Sequence, residues 1–383
     1  MNKFKPILLL SFLFVFVYII GIELQSPSQT SFNIFENTFA ETTNNSQPLV
    51  VTVGEFNTTT GKLLPGHSPI AYKASNIPGL QKDDCPQNPD KTVLYIHGYA
   101  VNGKTVASEA SSDIFKRVKL SLENKTNNPN NNTINVIGFN WDSNILAKDK
   151  SWEIAKDVAK KNGLKLAQFI LDFKNGCPDT DIRLIAHSLG ARVTLSSLDI
   201  LHNNPEWNAK NYTVKSVHLL GAAVDNEEIT KNPFDIVKDP KNGYNINLIE
   251  MKYPISLDKI KYAYGQTVED EVEKFYNFFS PKDDSLEIFY PLNENNDSAL
   301  GLTGAEKGIS LPNNYTETNV QSQIKPFCDA DGHNSCDYPY NIVLYSRPAD
   351  GDNHFGYIGF MDANGTLKDD GVMDEVVKNW RSE

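Results

Sequence analysis

No basic block occurs beyond the first five positions. The chain carries 36 Lys and Arg against 48 Asp and Glu, for a formal net charge of −12, and no cationic block interrupts that surplus. Without a basic face there is little to neutralise phosphates, which argues against nucleic acid as a partner and leaves the acidity to serve solubility. Cysteine is sparse as well: four in 383 residues, at Cys85, Cys177, Cys328 and Cys336. Their scattered spacing is not that of a metal-binding scaffold and fits an oxidising compartment in which they would pair. Cys328 and Cys336 stand close enough in sequence to close a small loop. No internal repeat and no heptad run is present, which excludes solenoid and coiled-coil architectures.

The chain's 40% apolar content can fill the core of one large domain. Its N-terminus reads differently from the rest. Lys3 and Lys5 precede Pro6 to Ile22, seventeen uncharged and mostly apolar residues, which predicts a signal sequence or membrane anchor over residues 1–24 and therefore export. A small-residue cleavage site does not follow directly, the nearest being Thr38-Phe39-Ala40, and this favours a retained anchor that would tether the protein to a membrane. Residues 25–48 are rich in Ser, Thr, Asn and Gln and read as a flexible polar tether. Eight Asn-x-Ser/Thr acceptors, including Asn57 and Asn211, agree with an exported, glycosylated surface.

From residue 49 to 383 the pattern is that of alternating strands and helices. Strands are expected at Val50–Phe56, Thr92–Ile96, Ile134–Trp141, Val214–Gly221, Phe275–Ser280 and Ile342–Tyr345, and helices at Lys104–Leu122, Trp152–Phe173 and Val372–Trp380. Such alternation predicts an α/β fold with a mostly parallel sheet covered by helices on both faces. Two polar stretches, 226–273 and 292–341, exceed ordinary loop lengths and are expected to cap the site or to decorate an edge. Cys328-Asp329-Ala330-Asp331-Gly332-His333-Asn334 with Asp337 places oxygen ligands at alternating positions, but no twelve-residue calcium loop with a terminal Glu is completed, so solvated turn carboxylates are expected and no metal is assigned.

The most informative run is Asp181-Ile182-Arg183-Leu184-Ile185-Ala186-His187-Ser188-Leu189-Gly190. An apolar strand ends in a serine with small residues two positions to either side, and Ala191 to Leu198 continues with helical spacing. Ser188 would then sit on a tight, strained strand-to-helix turn, the nucleophile elbow. The run resembles the Ala-His-Ser-Leu-Gly elbow of the α/β-hydrolase family, in particular certain secreted bacterial lipases, and the resemblance extends over roughly residues 90 to 360.

That resemblance implies the remaining machinery. The oxyanion hole would come from the N–H of Leu189 and from Tyr99 N–H, in the His97-Gly98-Tyr99 segment after an earlier strand, with Gly98 letting the backbone turn. The base would be His354, in a loop ahead of the last amphipathic segment. Two acids fit: Asp283, after the strand nearer the histidine as in most members, and Asp225, after the preceding strand as in pancreatic-type lipases. Asp284 adjoins the first, and the aspartate not used is expected to be a helix N-cap. The family's sheet order also places Cys85 and Cys177 before neighbouring strands, where a bridge could form. Together these imply an exported serine hydrolase that cleaves a small-molecule or lipid carboxylic ester through a Ser-His-Asp triad, without cofactor. A peptidase or amidase with the same triad, and an inert cell-envelope binding protein on a hydrolase scaffold, are the competing readings. Oligomeric state is not legible.

Overall fold

The computed structural model describes residues 49–74, 77–80, 85–86, 92–99, 107–126, 134–145, 150–238, 262–294, 297–324, 354–361 and 365–382. The segment Pro6–Ile22, the strand expected at Ile342–Tyr345, the Cys328–Cys336 pair and the Asp329–Asp337 loop lie outside them. Among the described residues no helix is long and apolar enough to cross a membrane.

Among the same residues, one sheet of eight strands organises the molecule: β1 Leu49–Thr52, β2 Lys73–Ala74, β3 Thr92–Ile96, β4 Asn135–Asn140, β5 Ile182–His187, β6 Val214–Leu220, β7 Val272–Phe279 and β8 Tyr315–Asn319, in the order β2-β1-β4-β3-β5-β6-β7-β8. Only the β1–β2 pair is antiparallel. Every residue of β3 and β5 is buried. This is why both read as near-continuous apolar runs: a central parallel strand is covered on both faces. Leu94, Ile96, Leu184, Ala186, Val217 and Leu219 face one way and belong to the larger core. Val93, Tyr95, Ile185 and Leu220 face the other.

Helix α1 (Ala107–Thr126) covers that second face with Phe115, Val118 and Leu122. Helices α2 (Ser151–Gly176) and α3 (Gly190–His202) cover the larger core with Leu166, Phe169, Ile170, Val193 and Leu198. Helices α4 (Gly265–Glu271) and α5 (Asp284–Asn293) flank β7 in sequence, and α6 (Met373–Ser382) returns to the second face with Val376 and Val377. The buried charge of Arg183 on β5 is accommodated there: its guanidinium donates to Ser216 Oγ at 2.9 Å and lies 5.4 Å from the Trp380 ring.

Two expected bounds need correction, and one open alternative is resolved. The first strand stops at Thr52 instead of Phe56, because the N–H groups of Glu55 and Phe56 donate to Asp142 Oδ2 at 2.7 Å and leave the ladder. The first long helix runs about four residues further than Leu122, to Thr126, whose hydroxyl bonds back to Leu122 O. Within 292–341, Tyr315–Asn319 takes the edge-decorating alternative: it is a strand, β8, paired with β7 at the sheet's edge. Its residues are half-buried or exposed, so it carries no apolar alternation.

Cys85 and Cys177 form a disulfide with Cα atoms 5.6 Å apart, closing 92 residues of chain. Replacing both by Ser should lower the unfolding free energy by about 4.6 kcal/mol on the loop-entropy model, read from urea denaturation of the two forms.

Candidate active site

Residue 188 is the point where β5 turns into α3. Ser188 has φ 54°, one of two non-glycine residues with positive φ among those described, a conformation that costs on the order of 1–3 kcal/mol and persists only when its surroundings enforce it. Here they do. Ser188 N–H donates to Leu220 O at 3.0 Å on β6, and Ser188 O accepts from Ala223 N–H at 3.1 Å. Gly190 must be small: a Cβ there would lie 2.5 Å from Ile96 O and 2.7 Å from His97 O, both backbone atoms of the neighbouring strand and its exit.

The segment leaving β3 passes directly over the serine. A Cβ on Gly98 would lie 2.7 Å from Ser188 Cβ and 3.2 Å from His187 O. Gly98 does not adopt positive φ, so the reason for glycine is close approach to the serine and not a sharp turn. His97 holds this segment. Its Nε2 accepts Trp141 N–H at 3.2 Å, which puts the ring proton on Nδ1, 2.9 Å from Gly98 O. Carbonyl 98 and N–H 99 belong to one planar trans peptide and point to opposite sides, so anchoring the carbonyl on His97 aims Tyr99 N–H the other way. Among the described residues no protein acceptor takes the N–H of Tyr99 or of Leu189. Trp141 stacks on the His97 ring at 5.6 Å and donates from Nε1 to His97 O at 2.7 Å. The sequence segment Asn140-Trp141-Asp142 therefore braces the loop beside the serine. Burial drives the His97 pKa down to about 4, although the Gly98 carbonyl and the Asn140 amide oxygen favour the charged ring, so the ring is neutral near neutral pH.

The structure also separates the two acids. Asp283, fully buried after β7, places Oδ2 2.7 Å from His354 Nδ1. Its other oxygen accepts Ser285 N–H at 3.1 Å and Leu286 N–H at 3.0 Å, capping α5. Cap and histidine partner are thus one residue, not alternatives. Asp225 instead accepts the Tyr290 hydroxyl at 2.5 Å, and no hydrogen bond joins it to His354 among the described residues. Asp284 begins α5, and its charge favours the protonated His354 ring.

His354 is itself buried, 7% exposed. Burial lowers the pKa of the ring, but the charge and hydrogen bond of Asp283, with the charge of Asp284, outweigh it and the net shift is upward. With Nδ1 committed to the carboxylate, Nε2 is the atom left to accept a proton. Ser188 reaches this pair through its neighbours: the His187 and His354 rings lie 4.7 Å apart, and a Cβ at Gly221, next to the residue that accepts Ser188 N–H, would lie 3.2 Å from Asp283 Oδ2. A carboxylate-bonded imidazole, a strained serine and two N–H groups without a protein acceptor among the described residues, at the ends of parallel strands, form an arrangement suited to acyl transfer.

The family model of the alpha/beta hydrolases of unknown function (DUF900) matches residues 76–306, more than half of the chain. The chain belongs to this alpha/beta hydrolase family. The matched region contains Ser188 and Asp283 and ends before His354. No curated protein matches the hydrolase. Among solved structures it is similar to Aspergillus fumigatus lipase B, at 11% identity and a TM-score of 0.32 over 62% of this chain and 46% of that one. It spans less than half of that lipase. A Listeria innocua gene product, lin2722, matches at 12% identity and TM-score 0.33, over 60% and 84% of the two chains. A Trichoderma reesei cutinase matches at 19% identity and TM-score 0.24, over 47% and 74%.

What the sequence did not reveal about this hydrolase is the work of His97 and His187 as hydrogen-bonding struts. Their position beside Gly98 and Ser188 was visible, but the carbonyls they hold come from the fold.

Three outcomes test this geometry. Asp283→Asn, which keeps the Oδ1 cap, should cost about 10⁴-fold in turnover of a p-nitrophenyl ester, whereas Asp225→Asn should cost little. Because the upward shift on His354 comes from Asp283, the wild-type rate should be lost as pH falls through a midpoint above the ordinary histidine value of about 6.5. That midpoint should move down in Asp283→Asn. Gly98→Ala should reduce kcat on the order of a hundredfold by displacing the serine it overlies.

Proposed function

We propose that this hydrolase is an exported serine hydrolase that cleaves carboxylic esters through Ser188, His354 and Asp283. The observation that carries the reading is the buried 2.7 Å bond between His354 Nδ1 and Asp283 Oδ2 on the rim that bears Ser188. Ser188 Oγ attacks the ester carbonyl while His354 Nε2 takes its proton, and Asp283 stabilises the imidazolium that forms. The N–H groups of Leu189 and Tyr99 hold the developing oxyanion. The proton passes to the leaving alcohol, giving an acyl-serine; His354 then deprotonates a water that releases the acid and restores the serine. The residues complete this cycle without metal or organic cofactor. Export is supported by the Lys3/Lys5–apolar pattern of residues 3–22 and by the Cys85–Cys177 bridge, and an N-terminal membrane tether follows if the segment is retained. The substrate is a small-molecule or lipid ester, and the acidic chain gives nucleic acid no purchase.

A fluorophosphonate should label the wild-type protein covalently, detected by intact mass, and should leave Ser188→Ala unmodified. Labelling retained in the alanine variant would remove Ser188 from its role. A folded wild type that never reacts would favour an inert scaffold instead.

A further inference from the structure

We propose that His187 is a positioning residue whose ring holds the main-chain carbonyl of His354 and so fixes where the base presents its imidazole to Ser188. The inference rests on the triad reading above. His187 Nε2 lies 2.8 Å from His354 O. A carbonyl only accepts, so Nε2 carries the proton and a neutral ring has its lone pair on Nδ1. His187 closes β5, and strand alternation sends its side chain to the same face as Ile185, where the Phe355 and Tyr357 rings pack 5.6 Å and 6.2 Å from it. The other side of the ring meets the loop over the serine: a Cβ at Gly98 would lie 3.3 Å from His187 Nδ1. The residue preceding the nucleophile is therefore wedged between the loop of Tyr99 and the loop of His354.

No other described residue makes a hydrogen bond to the His354 main chain. Further along the segment, Tyr357 O accepts Val372 N–H at 3.0 Å and Gly359 O accepts Arg117 at 2.9 Å. Side-chain and main-chain bonds together restrain His354 at two points, the ring Nδ1 by Asp283 and the backbone carbonyl by His187. Removing the second leaves the ring free to pivot about the first. The strut also stays neutral: burial pushes the His187 pKa well below its ordinary value, and charge on His354 and Arg117 pushes the same way. The groups facing His354 are Asp283 and Asp284 at the start of α5, His187 from β5, and Tyr357 from its own segment.

The test compares fluorophosphonate inactivation of the full chain across pH for wild type, His187→Gln, His187→Phe and His187→Leu, with a melting curve for each. Glutamine retains an N–H at a similar reach; phenylalanine retains the ring without the donor. The expected result is a maximal inactivation rate lowered on the order of a hundredfold in the Phe and Leu variants, with little change in the reversible binding constant. Their acid limb should move to lower pH as the imidazole loses contact with Asp283, and glutamine should recover most of the rate. Phenylalanine and leucine variants that react at the wild-type rate with the same acid limb would overturn the proposal while leaving the triad intact. So would glutamine behaving like phenylalanine, and so would loss of the fold in both Phe and Leu variants, which would make His187 a purely structural residue. A wild type that does not react would overturn the triad reading and this inference with it.

Discussion

The Asp283 carboxylate is the constraint on which the site depends. A carboxylate removed from water costs several kcal/mol unless its lone pairs are taken up. Here two N–H groups at the start of α5 take one oxygen, and the His354 imidazole takes the other. The end of β7, the first turn of α5 and the segment carrying His354 must therefore be in place together. A helix that lost its cap would also loosen the histidine. Gly221 contributes by standing so near Oδ2 that a side chain would crowd it, which lets the β6 exit pass between the carboxylate and the serine.

Three histidines meet at this rim, and their surroundings give them different states. His97 and His187 are buried without a carboxylate partner, are held neutral, and each donates one N–H to a backbone carbonyl. His354 is equally buried but faces Asp283, and its pKa rises. In the proposed cycle only the ring with the counter-charge exchanges protons; the other two hold the loops between which it works. That division follows from burial, opposed at one ring alone by a nearby negative charge.

Beyond the rim, the segment after β6 is tied to α3 by a buried ion pair, Arg192 with Glu228 at 2.9 Å, and Asp225 is held by Tyr290 of α5. Tyr290 packs edge-on against Trp152, which packs in turn against Tyr99. An aromatic chain thus joins the loop over the serine to the helix that Asp283 caps. Displacement of α5 would be felt at both ends.

The sequence by itself determined the parallel sheet and the elbow, because central strands buried on both faces must be apolar throughout and a turn pressed against Ile96 and His97 must be built from small residues. Local pattern left the acid open, since Asp225 and Asp283 both follow parallel strands of similar composition. Tertiary structure alone decided which of them meets His354, by setting Tyr290 against one and the imidazole against the other. It also decided that the polar stretch Tyr315–Asn319 is an edge strand, whose half-solvated face needs no apolar period. The two supporting histidines were visible as letters but not as struts: their partners are main-chain carbonyls, which every residue possesses and no sequence distinguishes.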